Sequence, residues 1–482
     1  MSDSTISRRT FLKVSGAIGS VGAAPVFSAR GQTSSEETEV TAKLARYIVD
    51  SRWSDVPDSA RKEATRSVLN WVGCALGGSQ EPSAVNALEA LSEFSGPRVA
   101  SILGRRERLD ILHASLLNGI TSHVLDFDDT HLDTIIHPAG PVAPALLALA
   151  EKQKVIGAEF LHAFILGVET ECRIGKAVYP WHYDQGYHIT GTAGVFGAAA
   201  ASGKILGLDA RQMTWAIGIA ATQSAGLREM FGTMCKSFHP GRAAQNGLTA
   251  ALLASKNFTS SEHSLEATRG FANTMSAEHD FTHVTKGLGE TFEVERNTYK
   301  PFACGIVIHP IIDGCVQLRN EHGLEPSDIT RVELRVNPLV LELTGKKTPS
   351  TGLEGKFSVF HSAAVAFVRG SAGQKEYTDD AVRDRTIVAV RDRVSATVDP
   401  AVREEEAYVS VTLEDGRTID KHVEHAIGSL ERPMTDTDLE AKFRGQAEGV
   451  LSGARTRRLI ELCWRVSSID DAGDIARDAV PA

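Results

Sequence analysis

The chain has 482 residues, of which 42% are hydrophobic and 23% are charged, and its formal net charge is −10. This composition is typical of a globular protein rather than a disordered one, and the length favours two domains. The acidic balance argues against nucleic-acid or anionic-membrane binding as the main role. An anionic substrate would therefore need a locally basic pocket.

The first 31 residues have the layout of a twin-arginine export signal. Arg8 and Arg9 lie in the run from Ser7 to Lys13, and an apolar stretch rich in Gly and Ala follows from Val14 to Ala29. We expect cleavage near Gly31 and a periplasmic mature protein. No later run approaches the roughly 18 apolar residues of a membrane helix, so we expect no membrane association after cleavage.

From residue 36 to residue 288 the hydrophobic periodicity predicts an all-helical domain. The predicted helices span residues 41–50, 57–76, 83–94, 111–125, 141–153, 157–178 and 210–225. Asp209, with Gln212 three residues later, is a capping signature for the last of these helices. Several segments are dense in Ala and Gly, as at 197–203, and small side chains allow helices to pack closely.

The pattern changes near residue 290, where short runs alternate apolar and polar residues as half-exposed strands do. The predicted strands span 291–299, 331–338, 394–399, 407–413 and 418–424, with helices at 305–320 and 357–370. Residues 414–417 (Glu-Asp-Gly-Arg) indicate a hairpin turn. The fold class is therefore mainly α with a smaller α+β domain: the α+β domain spans 289–425 and is followed by a helical return of 426–482 to the first domain.

One polar stretch lies between two apolar helices of the first domain. It is the run from His123 to Gly140, HVLDFDDTHLDTIIHPAG, which contains four Asp and three His. Unpaired charge is expensive beside buried helices, so such a cluster indicates a function or a tight set of partners.

Three further motifs carry residues suited to proton transfer or anion binding. His188 follows a glycine at the predicted start of a helix, where backbone N–H groups attract anions. Lys236 and Arg242 flank Pro240-Gly241, which predicts a turn ahead of a helix at 243–256 and a carboxylate or phosphate site beside its N-terminus. His309 lies in an apolar run, where a histidine is more often structural than catalytic.

Other chemistries lack a signature in the chain. None of the six cysteines forms a C-x-x-C pair, so zinc ribbons and iron–sulfur runs are not indicated, and free buried thiols are favoured over a disulfide. The sequence contains no glycine-rich dinucleotide fingerprint, no P-loop and no G-x-S-x-G elbow.

Six separated motifs, in order, resemble the MmgE/PrpD family, from about residue 40 to about residue 450. They are HVLDFDDTH with its following HP, GYHITGTAGVFGAAAASGK, K-x-x-HPGRAA-x-NG, YKPFACGIVIHP, GKFS and SLERPMTDTDLEAKF. The family includes 2-methylcitrate dehydratase, cis-aconitate decarboxylase and iminodisuccinate epimerase. The resemblance implies a helical domain plus a lid domain, a homodimer, and cofactor-free lyase or isomerase chemistry on a small di- or tricarboxylic acid.

The resemblance also assigns roles to residues of this chain. The implied site residues are Asp126, Thr130, His137, His188, Lys236 and His309. The spacing from Thr130 to His137 is about one residue longer than in the decarboxylases, and His361 occupies a position after GKFS where many relatives carry Tyr.

A mechanism follows as a hypothesis. Lys236, Arg242 and His137 would neutralise substrate carboxylates, and His188 or His309 would move the proton on carbon. Asp126 would orient a histidine, and Thr130 would position a carboxylate. Dehydration, decarboxylation and epimerisation all pass through charge next to a carboxylate, so one cationic pocket serves any of them.

Two alternatives remain open at this point. Asp126-Phe127-Asp128-Asp129 also fits the D-x-D-D pattern of helical terpene cyclases, and such clusters can bind Mg²⁺. That chemistry would need an aromatic-rich cavity, whereas aromatic residues make up only 6% of the chain. The other alternative is a non-catalytic periplasmic carboxylate-binding protein, for which the change at His361 leaves room.

Overall fold

A computed structural model describes residues 39–482, and the predicted export signal lies outside this range. The helices of the first domain are α1 (Val40–Asp50), α2 (Asp58–Gly78), α3 (Pro82–Leu91), α4 (Ile111–His123), α5 (Ala139–Lys152), α6 (Gly157–Val178), α7 (Trp181–Asp184), α8 (Ile189–Ile205), α9 (Ala210–Ala221), α10 (Cys235–Ala254), α11 (Phe271–Met275) and α12 (Thr282–Thr285). The later helices are α13 (His309–His322), α14 (Pro338–Thr344), α15 (Gly352–Gly355), α16 (Val359–Arg369), α17 (Asp379–Arg383), α18 (Arg385–Arg391), α19 (Asp436–Ala447), α20 (Gly453–Trp464) and α21 (Gly473–Asp478).

The strands are short and few. They are β1 (Ala100–Ser101), β2 (Arg108–Leu109), β3 (Asp129–His131), β4 (Asn297–Tyr299), β5 (Ile329–Val336), β6 (Val394–Val398), β7 (Ala407–Leu413) and β8 (Thr418–Val423). Helices dominate the described residues, so the predicted mainly-α class with a smaller α+β domain is confirmed.

The helical domain is built from α4, α5, α6, α8 and α10, which pack closely against one another. Glycines allow this close approach: a Cβ on Gly119 of α4 would lie 2.4 Å from the Cα of Gly241 in α10. A Cβ on Gly197 of α8 would lie 2.8 Å from the carbonyl oxygen of Gly167 in α6. The small residues therefore permit the close packing that the sequence predicts, and they fix the position of α10 beside α4.

The predicted turn at Pro240-Gly241 is wrong. Helix α10 begins at Cys235 and continues through Pro240, so Lys236 and Arg242 belong to the helix instead of flanking its N-terminus. Proline removes one helical hydrogen bond. Tertiary packing supplies most of the stability of a helix in a folded protein, and α10 packs against both α4 and α8, which outweighs that loss. The capping box of Asp209 and Gln212 at α9 is confirmed.

The second domain contains a four-stranded sheet in the order β6-β5-β7-β8. Strands β5 and β6 are parallel, whereas β5–β7 and β7–β8 are antiparallel. Strand β7 alternates buried and half-exposed residues, as the sequence pattern predicts. The hairpin turn between β7 and β8 is confirmed by the bond from the Gly416 N–H to the Leu413 carbonyl (3.0 Å), with Gly416 at φ 85°.

The predicted strand at 291–299 is largely wrong. Residues 293–296 form a 3₁₀ turn, and only β4 is extended. Strand β4 pairs antiparallel with β3, which places Asp129 opposite Tyr299. This small ladder connects the polar stretch of the helical domain to the segment that enters the second domain.

The chain returns to the helical domain at its C-terminal end, where α19 and α20 pack on α2 and α21 packs on α5. All six cysteines lie in the described range and none is paired; five are buried and Cys235 is exposed. Among residues 39–482, no helix combines the length and apolar character needed to cross a membrane.

Candidate active site

The polar stretch forms the floor of the candidate site. Helix α4 ends at His123, β3 follows after a tight loop, and α5 begins at Ala139. Asp126, within the loop, has a left-handed backbone with φ 51°. Non-glycine residues rarely adopt this conformation, and the strain is held where surrounding contacts over-determine it. The contacts of the Asp126 carboxylate supply that constraint.

Two lysines share the carboxylate of Asp126. Lys236 of α10 donates to Oδ1 at 3.1 Å, and Lys300, directly after β4, donates to the same oxygen at 2.6 Å. All three side chains are more than nine-tenths buried. One carboxylate is shared by two ammonium groups, and the second ionised carboxylate, that of Asp128, acts on both lysines without contacting either. An anionic ligand could therefore contact both ammonium groups directly.

A hydrogen-bonded chain links Lys236 to a second carboxylate. The Lys236 ammonium donates to His123 Nε2 at 3.0 Å, and His123 Nδ1 donates to Asp128 at 2.6 Å. His137 lies beside this chain, with its ring 4.8 Å from that of His123. His137 Nδ1 lies 2.7 Å from the Asp129 carbonyl oxygen and 3.3 Å from Asp128. These partners fix Nδ1 as the donor and leave His137 Nε2 for a substrate.

His188 is the N-cap residue of α8, as predicted, and its ring belongs to the same cluster. The ring lies 5.8 Å from that of His123 and edge-on to Phe231 at 5.0 Å. His188 Nδ1 and His239 Nδ1 are 2.8 Å apart, so one ring donates and the other accepts. This pairing leaves His188 Nε2 without a protein partner in the hydrogen-bond network of the described residues.

Burial sets the protonation of the histidines. It lowers the pKa of His123 to about 4, against the opposing effect of Asp128. Burial also lowers the pKa of His137, and burial together with Lys236 holds that of His188 well below its usual value. The three rings are therefore neutral near pH 7 when no ligand is bound. Negative charge on a ligand would raise all three pKa values.

The two carboxylates at the centre are ionised. Burial alone would raise the pKa of Asp126, but Lys236 and Lys300 hold it well below its usual value. Burial likewise opposes the ionisation of Asp128, which His123 and His137 outweigh.

These side chains surround a cavity of about 40 Å³ between the two domains. The helical domain contributes Asp126, His137, His188 and Lys236, and the second domain contributes Lys300 and Phe357. The structure thus brings together four of the six residues predicted for the site. Thr130 lies just behind them: its Oγ1 is 3.4 Å from His137 Nδ1, but it is fully buried and does not line the cavity.

The predicted contact of Asp126 with a histidine is not what the structure shows. Its side chain accepts hydrogen bonds from two lysines, and Asp128 takes the orienting position beside His123. The sequence could not distinguish these neighbouring acids, since the residue that selects Asp126 is Lys300, more than 170 positions away along the chain.

Arg242 is outside the cavity, contrary to the predicted role in substrate binding. Its side chain is exposed on α10 and donates to Gln245, one turn further along the helix. Lys236 points inward from the same helix because the two residues are six positions apart, on different helical faces.

His309 lies next to the cluster rather than in its cavity. The ring is 2% exposed, packs edge-on against Phe302 at 5.2 Å, and neither nitrogen has a hydrogen-bond partner among residues 39–482. It lines a neighbouring cavity of about 290 Å³. Burial lowers its pKa to about 3, so the ring is neutral. The prediction that His309 moves a proton stays a prediction. His361 is also buried and contacts the Glu376 carbonyl oxygen at 2.9 Å.

Three residues of the site were not assigned from the sequence. Lys300 lies in the motif YKPFACG, Asp128 in the acidic run, and His239 in HPGRAA. Lys300 and His239 are polar residues within an otherwise apolar or turn-rich motif, which is the signal that would have identified them, whereas Asp128 has the same side chain as the other acids of its run. Their partners depend on the β3–β4 ladder and on the packing of α10 against α4, neither of which has a local signature.

The donor set does not favour a resident cation. His123, His137 and His188 lie close enough to share an ion, as do Asp126, Asp128 and His137. However, Lys236 contacts His123 of the first set, and both Lys236 and Lys300 contact Asp126 of the second set. An ammonium group therefore already lies beside each set. A divalent cation would have to displace them. The arrangement suits an anion.

A two-domain helical protein with a closed, cationic, histidine-rich site is thus defined by the geometry. The MmgE/PrpD N-terminal domain matches residues 42–284, and the MmgE/PrpD C-terminal domain matches residues 302–466. The chain belongs to the MmgE/PrpD family.

Similar proteins extend over nearly the whole chain. A cis-aconitate decarboxylase-like protein of Aspergillus oryzae is 27% identical over 92% of this chain and 97% of its own length. The cis-aconitate decarboxylase of Aspergillus terreus is also 27% identical, over 92% of this chain and 95% of its own. The human cis-aconitate decarboxylase is 25% identical, over 90% and 92%. These relatives support a lyase of this family.

Proposed function

We propose that the protein is a cofactor-independent lyase that decarboxylates or dehydrates a small tricarboxylic or dicarboxylic acid. One observation carries the proposal: two buried ammonium groups, those of Lys236 and Lys300, share the single carboxylate of Asp126 beside three neutral histidines. The names of the relatives favour decarboxylation of cis-aconitate or of an acid with the same arrangement of carboxylates.

Substrate binding would use the two ammonium groups. A carboxylate of the substrate placed against Lys236 and Lys300 would pair directly with both of them, because they share a single carboxylate in direct contact. The same cations would stabilise negative charge that develops on carbon next to a carboxylate. Both lysines are already held by Asp126, so little reorganisation is needed when the substrate arrives.

Proton transfer would fall to His137 and His188. Each ring has its Nδ1 engaged by another group and its Nε2 available. For decarboxylation, the bond between a carbon and its carboxylate breaks, CO₂ leaves, the electron pair shifts onto carbon, and a histidinium donates the proton that carbon gains. For dehydration, one histidine takes a proton from carbon and a second acid protonates the leaving hydroxyl.

The decisive experiment is turnover by the purified mature protein with a chelator present, followed by NMR. The panel contains cis-aconitate, 2-methylcitrate, citrate and iminodisuccinate. We expect product from one of the first three, and loss of that product in the Lys236→Met variant. Turnover of iminodisuccinate alone would replace the lyase by an epimerase. Activity that requires added Mg²⁺, or binding without turnover of any acid, would contradict the proposal.

We also propose a homodimer. Four of the exposed large apolar side chains lie between residues 227 and 253, and we take this segment, which includes most of helix α10, as the candidate interface. They are Leu227, Met234, Phe238 and Leu253. Light scattering of the purified protein should give a mass near twice that of the mature chain, and Phe238→Glu should lower it. A monomeric mass at micromolar concentration would contradict this proposal.

Export through the twin-arginine pathway is a further proposal, supported by Arg8, Arg9 and the apolar run after them. Expression in a bacterium with and without a functional twin-arginine translocase tests it. We expect processed protein in the periplasm only when the translocase is present, and only when both arginines are retained. Equal distribution of the Arg8→Lys/Arg9→Lys variant would contradict it.

A further inference from the structure

The candidate site is small in this structure. Its cavity of about 40 Å³ is close to the share of liquid volume of a single water molecule, roughly 30 Å³, whereas ligand pockets typically measure roughly 300–1,000 Å³. A substrate must therefore enter by a movement of the walls. Two larger cavities adjoin the site, and their charges differ.

The larger one is an interdomain cleft of about 920 Å³. Its walls come from both domains, and the charged residues among them are four acids and three lysines: Glu81, Glu376, Asp379, Glu448, Lys356, Lys375 and Lys442. Between this cleft and the site lies a narrow space of about 10 Å³, which we call the throat. Its lining includes Val124, Asp126, Lys236, Ser237, Lys356 and Phe357, so two lysines face one carboxylate there. It shares Lys356 with the cleft and Lys236 with the site, so it lies between the two.

Lys356 is a buried cation of the throat without a carboxylate partner. It is 4% exposed, and its ammonium group donates to the carbonyl oxygens of Leu125 (2.7 Å) and Ala303 (3.0 Å). In the described part of the chain, no carboxylate lies within ion-pair distance of it. Two carbonyl dipoles do not neutralise a full charge, and an unpaired buried charge is costly. Asp126 and Glu81 counter this charge only from a distance, so a ligand carboxylate would be the first direct ion-pair partner of Lys356.

The second neighbour, the acidic cavity, has no lysine among the described residues that line it. It is lined by Asp133, Arg296, His309, Glu404, Glu405 and Glu431, and Asp133 already neutralises Arg296. Burial lowers the pKa of His309, so that ring adds no positive charge at neutral pH. Glu405 forms an ion pair with Arg403 at 2.8 Å, which leaves Glu404 and Glu431 as the main charges facing this cavity. A di- or tricarboxylate would be repelled there.

We propose that the anionic substrate reaches the site from the interdomain cleft through the throat, and that Lys356 binds one of its carboxylates on the way. Lys356 is then a specificity-determining residue that selects for acids before they meet Lys236. The inference rests on the proposed function only in taking the substrate to be a small carboxylic acid.

Steady-state kinetics test the role of Lys356. Lys356→Gln keeps a donor for the two carbonyl groups but removes the charge, and Lys356→Arg keeps the charge. Electrostatic guidance changes association rates by roughly 10- to 1,000-fold. We expect kcat/KM to fall at least about tenfold in the Gln variant, with kcat changed less, and the dependence of kcat/KM on salt to weaken. The Arg variant should retain both. Equal losses in Gln and Arg variants would overturn the role.

A labelling experiment tests the route without relying on turnover. In a Cys235→Ser background, which removes the exposed thiol, Ser237→Cys places a reporter in the throat and Ser429→Cys places one in the acidic cavity. Each variant is treated with anionic sulfonatoethyl and cationic trimethylammonioethyl methanethiosulfonate. We expect the anionic reagent to be favoured at position 237 and the cationic reagent at position 429.

The outcomes separate the two proposals. Suppose that no acid in the panel is turned over, but the labelling preference is present and is lost with Lys356→Gln. The proposed route through the throat is then supported, and the proposed lyase activity is contradicted. Equal preferences at the two positions, or a thiol at position 237 that reacts with neither reagent, would overturn the throat.

Discussion

Two pairs of buried acids in this protein behave in opposite ways. Asp126 and Asp128 face cations and histidine N–H groups, which hold both pKa values well below the usual range. Asp129, the next residue, has its pKa raised to about 7 by burial and by the charge of Asp128. Burial and Asp129 together raise the pKa of Glu171 well above its usual value. All four side chains are buried, so the groups that contact each acid, and not its burial, determine which acids are ionised.

The ionised pair holds the reactive groups, and the other pair lies behind it. Asp129 accepts from the Asn297 side chain at 2.7 Å and the Ala139 N–H at 3.1 Å through one oxygen, and its other oxygen has no partner among the described residues. Within the same range, neither oxygen of Glu171 has a hydrogen-bond partner. Helix α8 approaches so closely there that a Cβ on Gly197 would lie 2.5 Å from the Glu171 carboxyl. A protonated acid is the form that such a setting favours.

The largest effect is expected from Asp126→Asn, which removes the charge that holds both lysines. Leaving buried charges uncompensated costs about 3–5 kcal/mol. We expect the free energy of unfolding in urea to fall by about that amount and turnover to fall by at least two orders of magnitude. The double variant Asp126→Asn/Lys300→Met, with one ammonium group fewer, should recover part of the stability. An unchanged unfolding midpoint for the single variant would show that the lysines find other partners.

A comparison of Asp128→Asn with Asp129→Asn tests whether the ionised acid matters more for turnover than the protonated acid next to it. In the first variant the new amide can donate to His123 Nδ1, which would place the ring proton on Nε2, facing the Lys236 ammonium. By analogy with removal of an orienting carboxylate elsewhere, we expect turnover to fall by about 10²- to 10⁴-fold. In the second variant the amide oxygen can keep both accepted hydrogen bonds, and the backbone carbonyl still contacts His137. Turnover of that variant should stay within about threefold of the parent protein. Similar losses in the two variants would mean that both acids serve catalysis directly.

A smaller effect, on stability alone, is expected from Glu171→Gln. The folded-state pKa of Glu171 is raised above its ordinary value of 4.5, so its contribution to stability is complete below about pH 4.5 and declines as pH rises towards the folded-state pKa. Between these two pH values, a single such group lowers the free energy of unfolding by about 1.4 kcal/mol for each pH unit. Gln does not ionise. In urea unfolding at pH 5 and pH 8, the free energy of unfolding of the variant relative to that of the parent protein should therefore be higher at pH 8.

The opposite trend would show that Glu171 is ionised in the folded protein. Ala199→Ser, on the same helix but away from the carboxyl contact, serves as a control for changes in α8 itself. Its stability relative to the parent protein should not vary with pH.

Local patterns predicted much of the fold. The capping box at α9, the alternation in β7 and the hairpin before β8 depend on neighbouring residues, and each is found where the sequence places it. The continuation of α10 through Pro240 was missed because the packing that stabilises it comes from α4 and α8. The three-residue ladder of β3 with β4 was missed because it joins segments that are distant along the chain.

For the site, too, local motifs predicted some features, and contacts between distant segments decided the others. Asp126, His137, His188 and Lys236 could be selected from their motifs, and all four line one cavity. Which acid is charged could not be predicted, since adjacent residues such as Asp128 and Asp129 have identical side chains and differ only in partners. Lys300 determines the state of Asp126, and that contact depends on the tertiary fold.

The smallest effect is expected from Arg242→Ala, which separates charge near the site from charge in it. Arg242 is exposed and contacts Gln245, so its removal should change kcat/KM by less than about twofold and stability by no more than about 0.5 kcal/mol. Lys236→Ala, six residues earlier on the same helix, is the matched comparison and should lose most activity. If Arg242→Ala instead raises KM strongly at low salt and not at high salt, Arg242 attracts the substrate over a distance, and the cationic field of the site extends to the surface of α10.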